Sequence, residues 1–404
     1  MVNHYCTYFD RNFLAQGLAL WRSLARNDPG AMLWVLALDE FAADLLRELD
    51  EPGLKIVSLA DLEAGDPALA AAKGGRSPIE YYFTLSPCWP RWLLASHPEI
   101  PLLTYIDADM FFFASPAPIF AAMDAAGASV LVTEHRFPNW MRHTERKGRF
   151  NIGILCFRND ATGRACLDDW RERCLAWCHD RLEDGKYADQ KYLDEWPGRF
   201  GPAVLVLGHE GVNLAPWNWL AHKIEWEAAR LPSGMGILPM FDGLRRGHGQ
   251  DARATTGIQM SPPPARSANP EAACCLRIDG QPLILFHFAR FRPLVSDWWW
   301  HSGQVVHGIM PWRLRRAIYG TYWRALSGAR TEVARRRVGF DFARRSARLD
   351  QESWRLKLMG VVFGSNWLRV GDAFLSGRFG LGRWSGRCIV MLLRLFSPAV
   401  LSPD

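Results

Sequence analysis

The sequence predicts an α/β fold, built on a mixed, mostly parallel sheet flanked by helices. Over the first 230 residues, short apolar runs alternate with amphipathic stretches, the pattern of strands and helices that follow one another in turn. The apolar runs are nearly continuous, which is typical of central strands covered on both faces. Of the 404 residues, 49% are hydrophobic and 22% are charged, so the chain can bury a core and global disorder is excluded.

Each element follows from this alternation. The predicted strands are the apolar runs at residues 4–9, 32–38, 55–59, 102–106, 129–133, 152–157, 203–207 and 282–286. The predicted helices are the amphipathic stretches at residues 12–26, 41–49, 90–95 and 166–178. The last two strands are expected to complete the sheet. We therefore expect one α/β domain over residues 1–309.

Two segments depart from this rhythm. Residues 232–279 are rich in Gly, Pro, Arg and Ala without a useful period, which predicts a poorly ordered surface insertion, with a functional arm as the alternative. The chain carries a net charge of +6, but residues 310–404 hold 18 basic and 6 acidic side chains. This tail predicts basic amphipathic helices that dock on an anionic membrane surface. The alternatives are a helical face packed on the first domain and nucleic-acid binding, for which no recognised motif is present.

The remaining composition favours a cytoplasmic protein. No run approaches the roughly 18 apolar residues of a membrane-spanning helix, and the N-terminus lacks the charged region of a signal peptide. Nine cysteines, an odd number, fit a reducing compartment. Cys166, Cys174 and Cys178 beside His179 suggest zinc, but buried thiols explain them better because paired short spacings are absent.

The most informative segment places two acids directly after an apolar strand. Asp107 and Asp109 are two residues apart, so in extended backbone their carboxylates lie on the same face. Burying two such charges is costly without compensation. A divalent cation would supply it: oxygen ligands suit Mg²⁺ or Mn²⁺, and a nearby imidazole would favour Mn²⁺. A solvated turn after the strand is the alternative.

Six short motifs in a fixed order resemble those of GT-A fold glycosyltransferases, nearest to family eight, over about residues 1–300. They are Tyr8-Phe9-Asp10-Arg11-Asn12-Phe13, Tyr105-Ile106-Asp107-Ala108-Asp109, Phe150-Asn151-Ile152-Gly153, Tyr187-Ala188-Asp189-Gln190, Asn213-Leu214-Ala215-Pro216 and Leu285-Phe286-His287-Phe288. The resemblance implies a GT-A domain that transfers a hexose, with retention of configuration, from a nucleotide-diphospho-sugar such as a UDP-sugar. The implied acceptor is a glycan or a lipid-linked, lipopolysaccharide-type molecule.

The resemblance also implies a role for each matching residue. The predicted donor-binding residues are Tyr8, Asp10, Asn12, Asp107, Asp109 and Arg292. The predicted metal ligands for Mn²⁺ or Mg²⁺ are Asp107, Asp109 and His287, and the predicted catalytic residues are Asp189, Gln190 and Asn151. Structural alternatives are a helix N-cap for Asp189, a core histidine for His287 and a turn residue for Asn151.

Several positions depart from the family pattern. The glycine expected three residues after His287 is Arg290, and a Lys-Pro pair is replaced by Arg292-Pro293, one residue early. Lys191 stands where an acid follows the Asp-Gln pair, and Arg91 is the candidate for an arginine expected before the first acidic motif.

Two functions from different classes follow. The first is a metal-dependent hexosyltransferase, peripheral on the cytoplasmic face of a membrane. The second is a non-catalytic protein that binds a nucleotide sugar or a glycan at a degenerate site of the same fold. Trp140, Trp217 and Trp219 are candidates for stacking on an acceptor sugar, with core packing as the alternative.

Overall fold

A seven-stranded mixed sheet forms the centre of the molecule. The computed structural model describes residues 2–227, 276–293, 299–301, 310–338, 340 and 367–369. The strands of this sheet are β1 (His4–Phe9), β2 (Met32–Ala37), β3 (Leu54–Ser58), β4 (Leu102–Ile106), β6 (Val130–Glu134), β7 (Phe150–Arg158) and β8 (Val204–Val206). Their order is β3-β2-β1-β4-β7-β6-β8, and only β7 runs antiparallel to its neighbours. The predicted fold class, a mostly parallel sheet flanked by helices, is confirmed.

In residues 2–227, eight α-helices flank the strands of the sheet. They are α1 (Leu14–Asn27), α2 (Glu40–Leu49), α3 (Leu59–Gly65), α4 (Pro67–Ala72), α5 (Pro78–Ser96), α6 (Ala117–Ala126), α7 (Ala161–Ala176) and α8 (Trp196–Phe200). Side-chain caps set several of their starts: Asp39 accepts from the Ala42 backbone N–H in α2, and Asp160 accepts from Gly163 in α7.

Helix α5 is longer than the sequence predicted. The predicted helix covered residues 90–95, and prolines inside a helix normally interrupt it. Instead Ser77 and Glu80 form a capping box at its start, and Pro87 and Pro90 lie inside the helix. Burial of side chains such as Trp89 in the core outweighs the local cost of these prolines.

The described part of the chain also forms three smaller sheets. Their strands are β5 (Met110–Phe112), β9 (Ile224–Trp226), β10 (Leu276–Ile278), β11 (Gln281–Pro282), β12 (Leu285–His287), β13 (Arg292–Pro293), β14 (Trp299–His301) and β15 (Trp367–Arg369). β12 pairs antiparallel with β5, β10 pairs with β9 and β11, and β14 pairs with β13 and β15.

Two predictions for this region were wrong. The run at 282–286 does not complete the main sheet, because its strand pairs with β5 instead. An apolar run shows that a strand is buried but does not specify its partner. Residues 276–279, expected at the end of the insertion, form strand β10 and the turn after it. The rest of the predicted insertion, residues 232–275, lies outside the described residues.

The first helix of the basic tail, α9 (Trp312–Arg336), packs against the α/β domain. Its side chains Ile318, Tyr319, Tyr322 and Val333 are fully buried in the same hydrophobic core as α1 and β5. Glu332 also accepts from Arg22 of α1 at 2.6 Å. The boundary expected at residue 310 therefore marks a change in net charge, but the residues on its two sides pack in one hydrophobic core. Most of the tail beyond residue 340 lies outside the described residues.

Two further findings in the described residues concern membrane-spanning helices and the cysteines. Among the described helices, none combines the length and apolar character needed to cross a bilayer. Cys166, Cys174 and Cys178 are buried free thiols, and within the described part of the chain they do not belong to any group of residues arranged to hold a metal. Buried thiols therefore explain these three cysteines.

Candidate active site

The predicted site residues converge on one edge of the main sheet. Asp10 follows β1 and Asp107 follows β4, and these two strands are parallel neighbours. Strand β7 runs the opposite way beside β4, so Asn151 near its beginning lies at the same edge. Ligands of open α/β sheets collect outside the carboxyl ends of the strands, which is where this edge lies.

Three side chains at this edge form a candidate metal centre. Asp107 and Asp109 lie in the connection between β4 and β5, and His287 ends β12 opposite Met110 of β5. One ligand atom from each of the three lies within 4.8 Å of the others. The Nε2 atom of His287 is 3.1 Å from Asp109 Oδ1 and 3.9 Å from Asp107 Oδ2. Pairing of two strands that are distant in sequence thus assembles the predicted triad.

The charges of this centre perturb one another. Burial raises the pKa of Asp107 to about 6, His287 opposes the rise, and Asp109 adds to it. Burial lowers the pKa of His287, but Asp109 and Asp107 more than offset this and the net shift is upward. Tyr105 donates a hydrogen bond of 2.9 Å to Asp107 Oδ1. Two carboxylates and an imidazole, with one carboxylate costly to ionise, form a donor set that fits a divalent cation.

A buried network of amides lies behind the centre. Asn151 Oδ1 is 2.9 Å from the Gly153 backbone N, 3.0 Å from Asn213 Nδ2 and 3.3 Å from His287 Nδ1. Asn151 Nδ2 is 3.3 Å from His135 Nε2. Asn213 has a φ of +60°, a left-handed conformation that asparagine tolerates better than most residues. Asn151 is therefore a buried strand residue and not a turn residue.

Asp189 is a buried acid at the start of a short 3₁₀ helix, Gln190–Glu195. Asp189 stands at the N-cap position of this helix, but its side chain makes no capping hydrogen bond there. Burial raises the pKa of Asp189 to about 7, a hydrogen bond from Ser86 opposes this, and the charge of Asp107 adds to it. Gln190 is half-buried and donates to the Lys147 carbonyl at 3.0 Å.

The predicted nucleotide-binding residues surround the end of β1. Asp10 accepts from the backbone N–H of Asn12 at 2.9 Å and from its Nδ2 at 2.6 Å. Within the described structure, Asn12 Oδ1 is buried without a hydrogen-bond partner. The Tyr8 hydroxyl donates to the Tyr82 carbonyl at 2.9 Å, so that hydroxyl faces helix α5.

The positions that depart from the family pattern have distinct environments. Arg290 is exposed and has a φ of +63°, so it keeps the left-handed conformation that a glycine would adopt without cost. Arg292 begins β13, five residues after His287. Arg91 pairs with Asp168 on helix α7, and Lys191 pairs with Asp194 at 2.7 Å.

The three tryptophans proposed for acceptor stacking differ in exposure. Trp219 is buried in the core, so stacking on a sugar is excluded for it and core packing explains it. Trp140 and Trp217 are half-buried. The Trp217 ring lies edge-on to His287, with 5.1 Å between centroids, and its Nε1 donates to the His135 carbonyl at 3.0 Å. Trp217 therefore borders the candidate metal centre.

Sequence reasoning missed His135, Thr133 and Ser86. His135 follows β6 directly, at the same sheet edge as the acids, and this position was the one available signal. Thr133 accepts from Asn213 Nδ2 at 2.9 Å, and Ser86 lies mid-helix in α5 beside Tyr8 and Asp189. Nothing in their local sequence distinguishes Thr133 and Ser86 from ordinary core residues.

The chain belongs to a family that includes two proteins of Bacillus subtilis (strain 168), both described as uncharacterized. It is 33% identical to YfnF over 253 residues, which are 61% of this chain and 82% of YfnF. It is 30% identical to YfnD over 231 residues, which are 56% of this chain and 73% of YfnD. No protein-family model matches the chain.

Solved structures similar to this one include glycosyltransferases. One is mouse xyloside xylosyltransferase 1, with a TM-score of 0.36 and 18% identity, covering 53% of this chain and 88% of the mouse chain. Another is the galactosyltransferase LgtC with donor and acceptor sugar analogues, with a TM-score of 0.36 and 16% identity, covering 54% and 77%. Scores below 0.5 carry no inference about the reaction, which must rest on the residues themselves.

Proposed function

We propose that the protein is a metal-dependent glycosyltransferase that moves a hexose from a nucleotide-diphospho-sugar to a glycan or lipid-linked acceptor. The observation that carries this proposal is the convergence of Asp107, Asp109 and His287 within 4.8 Å at the carboxyl edge of the sheet. Divalent metal bound there, Mn²⁺ or Mg²⁺, would act as a Lewis acid on the departing diphosphate. The bound cation would offset the negative charges of Asp107 and Asp109, so an anionic diphosphate could bind beside them.

The nucleotide is assigned to the end of β1. Asn12 Oδ1 is buried without a partner in the described structure, and an unsatisfied acceptor of this kind favours a bound donor group. A uracil N–H or a ribose hydroxyl would satisfy it, and Tyr8 and Asp10 border the same position. We therefore assign a UDP-sugar as donor, with Arg292 as a contact to its phosphates.

In the transfer, the bond between the anomeric carbon and the diphosphate oxygen breaks, and an acceptor hydroxyl oxygen bonds to the same carbon. The hydroxyl proton leaves with the diphosphate. Asp189, as a carboxylate, would stabilise positive charge developing at the sugar ring. Gln190 and Asn151 are assigned to the same centre, and Trp140 and Trp217 to the acceptor. We assign retention of configuration.

The protein is also proposed to work on the cytoplasmic face of a membrane. The net charge of +12 over residues 310–404 supports docking on anionic lipid, which would bring the site near a lipid-linked acceptor.

The test combines ligand binding with turnover. Thermal unfolding is measured for the full chain with nucleotide sugars, with and without Mn²⁺, because a ligand that binds only the native state raises apparent stability. UDP release is then followed for each UDP-sugar that raises the melting temperature. We expect a UDP-hexose to stabilise the protein only with Mn²⁺ and to be turned over.

Asp109→Ala should abolish both effects, whereas the control Asp44→Ala, an exposed change on α2, should retain them. Unchanged Mn²⁺-dependent turnover in Asp109→Ala would refute the metal centre. Mn²⁺-dependent binding without turnover of any nucleotide sugar would instead favour the non-catalytic binding protein.

A further inference from the structure

We infer that Asn151 is a positioning residue: it accepts a hydrogen bond from His287 Nδ1 and so holds the imidazole ring with Nε2 towards the two carboxylates. This inference rests on the proposed metal centre and adds to it the residues that orient its imidazole. It gives Asn151 a role distinct from contact with the sugar.

The orientation of the Asn151 amide follows from one contact. The Gly153 backbone N–H can only donate, so the side-chain atom 2.9 Å from it must be the oxygen of Asn151. Asn213 Nδ2, at 3.0 Å, donates to the same oxygen and also to Thr133 Oγ1. Both donors need an acceptor, so the flipped amide, which would place the NH₂ group of Asn151 at this position, is excluded.

The orientation of this amide determines which of the two histidine nitrogens facing Asn151 carries a proton. Because Asn151 Oδ1 accepts, the His287 Nδ1 atom 3.3 Å away must carry its proton. Because Asn151 Nδ2 donates, the His135 Nε2 atom 3.3 Å away must be unprotonated. His135 Nδ1 then carries a proton and donates to the Arg149 carbonyl at 3.2 Å. Each of these contacts pairs a donor with an acceptor, so the assignment is internally consistent.

The consequence for the metal centre concerns the second nitrogen of His287. His287 Nε2 lies 3.1 Å from Asp109 Oδ1 and can donate its proton to that carboxylate. A bound cation would take the place of this proton. A metal-bound histidine ordinarily has its other nitrogen fixed by a hydrogen bond of this kind. Asn151 supplies it from strand β7, across the sheet edge from the ligands.

Gly153 explains the spacing of the motif. Residues 151 and 153 are two apart in a strand, so their side chains would share a face. A Cβ at position 153 would lie 2.6 Å from Asn151 Oδ1 and 2.8 Å from His287 Nδ1. Only glycine leaves space for the contact between the amide and the imidazole.

The experiment observes the His287 Nδ1 proton directly, without donor or turnover. Imidazole ¹⁵N–¹H NMR spectra are recorded on the metal-free full chain, and the exchange of each ring proton with solvent is measured. In wild type and in Asn151→Asp, which retains an acceptor oxygen, we expect a His287 Nδ1 proton that its hydrogen bond protects from exchange. In Asn151→Leu we expect this protection to be lost.

Mn²⁺ affinity is measured on the same proteins by the EPR signal of free Mn²⁺. Asn151→Leu should weaken binding roughly 10- to 100-fold, while Asn151→Asp should stay close to wild type. The matched control is Thr104→Val, which removes a buried hydroxyl on β4 that lies 3.4 Å from Cys156 Sγ, and it should bind Mn²⁺ like wild type.

A wild-type His287 without a protected Nδ1 proton would overturn the inference, as would an Asn151→Leu protein that binds Mn²⁺ as tightly as wild type. If Asn151→Leu does not fold, the wild-type and Asn151→Asp spectra still decide. Absence of turnover with every nucleotide sugar would contradict the proposed function alone, because the Nδ1 proton and the Mn²⁺ affinity are read without a substrate.

Discussion

Replacing the buried acid Asp189 by asparagine should stabilise the metal-free protein at alkaline pH. Asp189 is 4% exposed, and burial is the main reason that its pKa is raised to about 7 in the folded chain. In the unfolded chain an aspartate has a pKa of about 3.9. The folded state therefore holds this proton more tightly than the unfolded state.

The sign and size of the effect follow from this difference. Between about pH 4 and pH 7, the folded chain keeps Asp189 protonated while the unfolded chain releases this proton. The unfolding free energy therefore falls as the pH rises. A difference of about three pKa units corresponds to about 4 kcal/mol at pH 8, and relaxation around a charged carboxylate reduces it. Asparagine has a similar shape and no charge, so Asp189→Asn should be more stable than wild type by roughly 1–4 kcal/mol at pH 8 and nearly equal at pH 4.5.

Urea unfolding in EDTA at the two pH values measures this difference. EDTA is needed because a bound cation would change the charge near Asp107, which also raises the pKa of Asp189. Asp44→Asn, an exposed aspartate on α2, is the matched control and should show no pH-dependent gain. An Asp189→Asn protein whose stability relative to wild type is the same at both pH values would refute the reasoning. Asp189→Asn should also lose turnover at every pH.

Three further predictions test the packing around the site. Gly153→Ala should lower the unfolding free energy by about 1–3 kcal/mol and weaken Mn²⁺ binding, because its Cβ would meet the Asn151 oxygen at 2.6 Å; EPR titration and urea unfolding report the two effects. Tyr322→Ala should cost about 3–5 kcal/mol in urea unfolding because Tyr322 is fully buried, whereas exposed Arg335→Ala on the same helix should cost little. Deletion of residues 233–272 should leave the melting temperature and the soluble yield unchanged, and a collapse of the yield would mean that this segment is structural.

The site residues that could be predicted from sequence are those that belong to short local patterns. Asp107 and Asp109 follow an apolar strand, and strand alternation places both on one side. The main-sheet strands were predictable for the same reason, since each is a local apolar run. The third ligand, His287, could be named only through the family resemblance, because the pairing of β12 with β5 is a contact between residues over 170 positions apart.

The rest depended on packing that no local pattern encodes. The partners of Asn151 come from strand β7, the residue after β6 and a loop near residue 213. Helix α5 continues through two prolines because tertiary burial outweighs their local preference. Trp219 was placed beside the acceptor because it follows a motif, yet it is buried in the core. Proximity in sequence to a motif does not show that a side chain faces the site.

The first helix of the basic tail is part of the hydrophobic core, and this limits how deletion of the tail can test membrane docking. Phe288, the residue after His287, stacks on Tyr322 with 3.8 Å between ring centroids, and Phe111, within the segment after Asp109, lies 5.6 Å from the same ring. Deletion of residues 310–404 would thus remove packing directly behind the metal centre. Loss of membrane binding in such a deletion could not be separated from loss of the fold.

Charge offers a cleaner test of membrane docking than deletion. Residues 310–340 hold 8 basic and 1 acidic side chains, so more than half of the net +12 lies in and around α9. Its outward-facing arginines Arg313, Arg316, Arg324 and Arg335 are exposed. Changing these four to glutamine should weaken binding to phosphatidylserine vesicles by about 1 kcal/mol per charge at low salt, measured by vesicle sedimentation.

The matched control changes four exposed arginines elsewhere to glutamine, namely Arg47, Arg142, Arg164 and Arg181. The two variants have the same net charge, so a difference between them reports where the charge lies and not how much there is. If both lose binding equally, attraction is a property of the whole molecule. If only the α9 variant loses vesicle binding, the membrane contacts α9, the helix that packs behind His287. Docking through α9 would then hold the candidate site in a fixed position relative to the lipid surface.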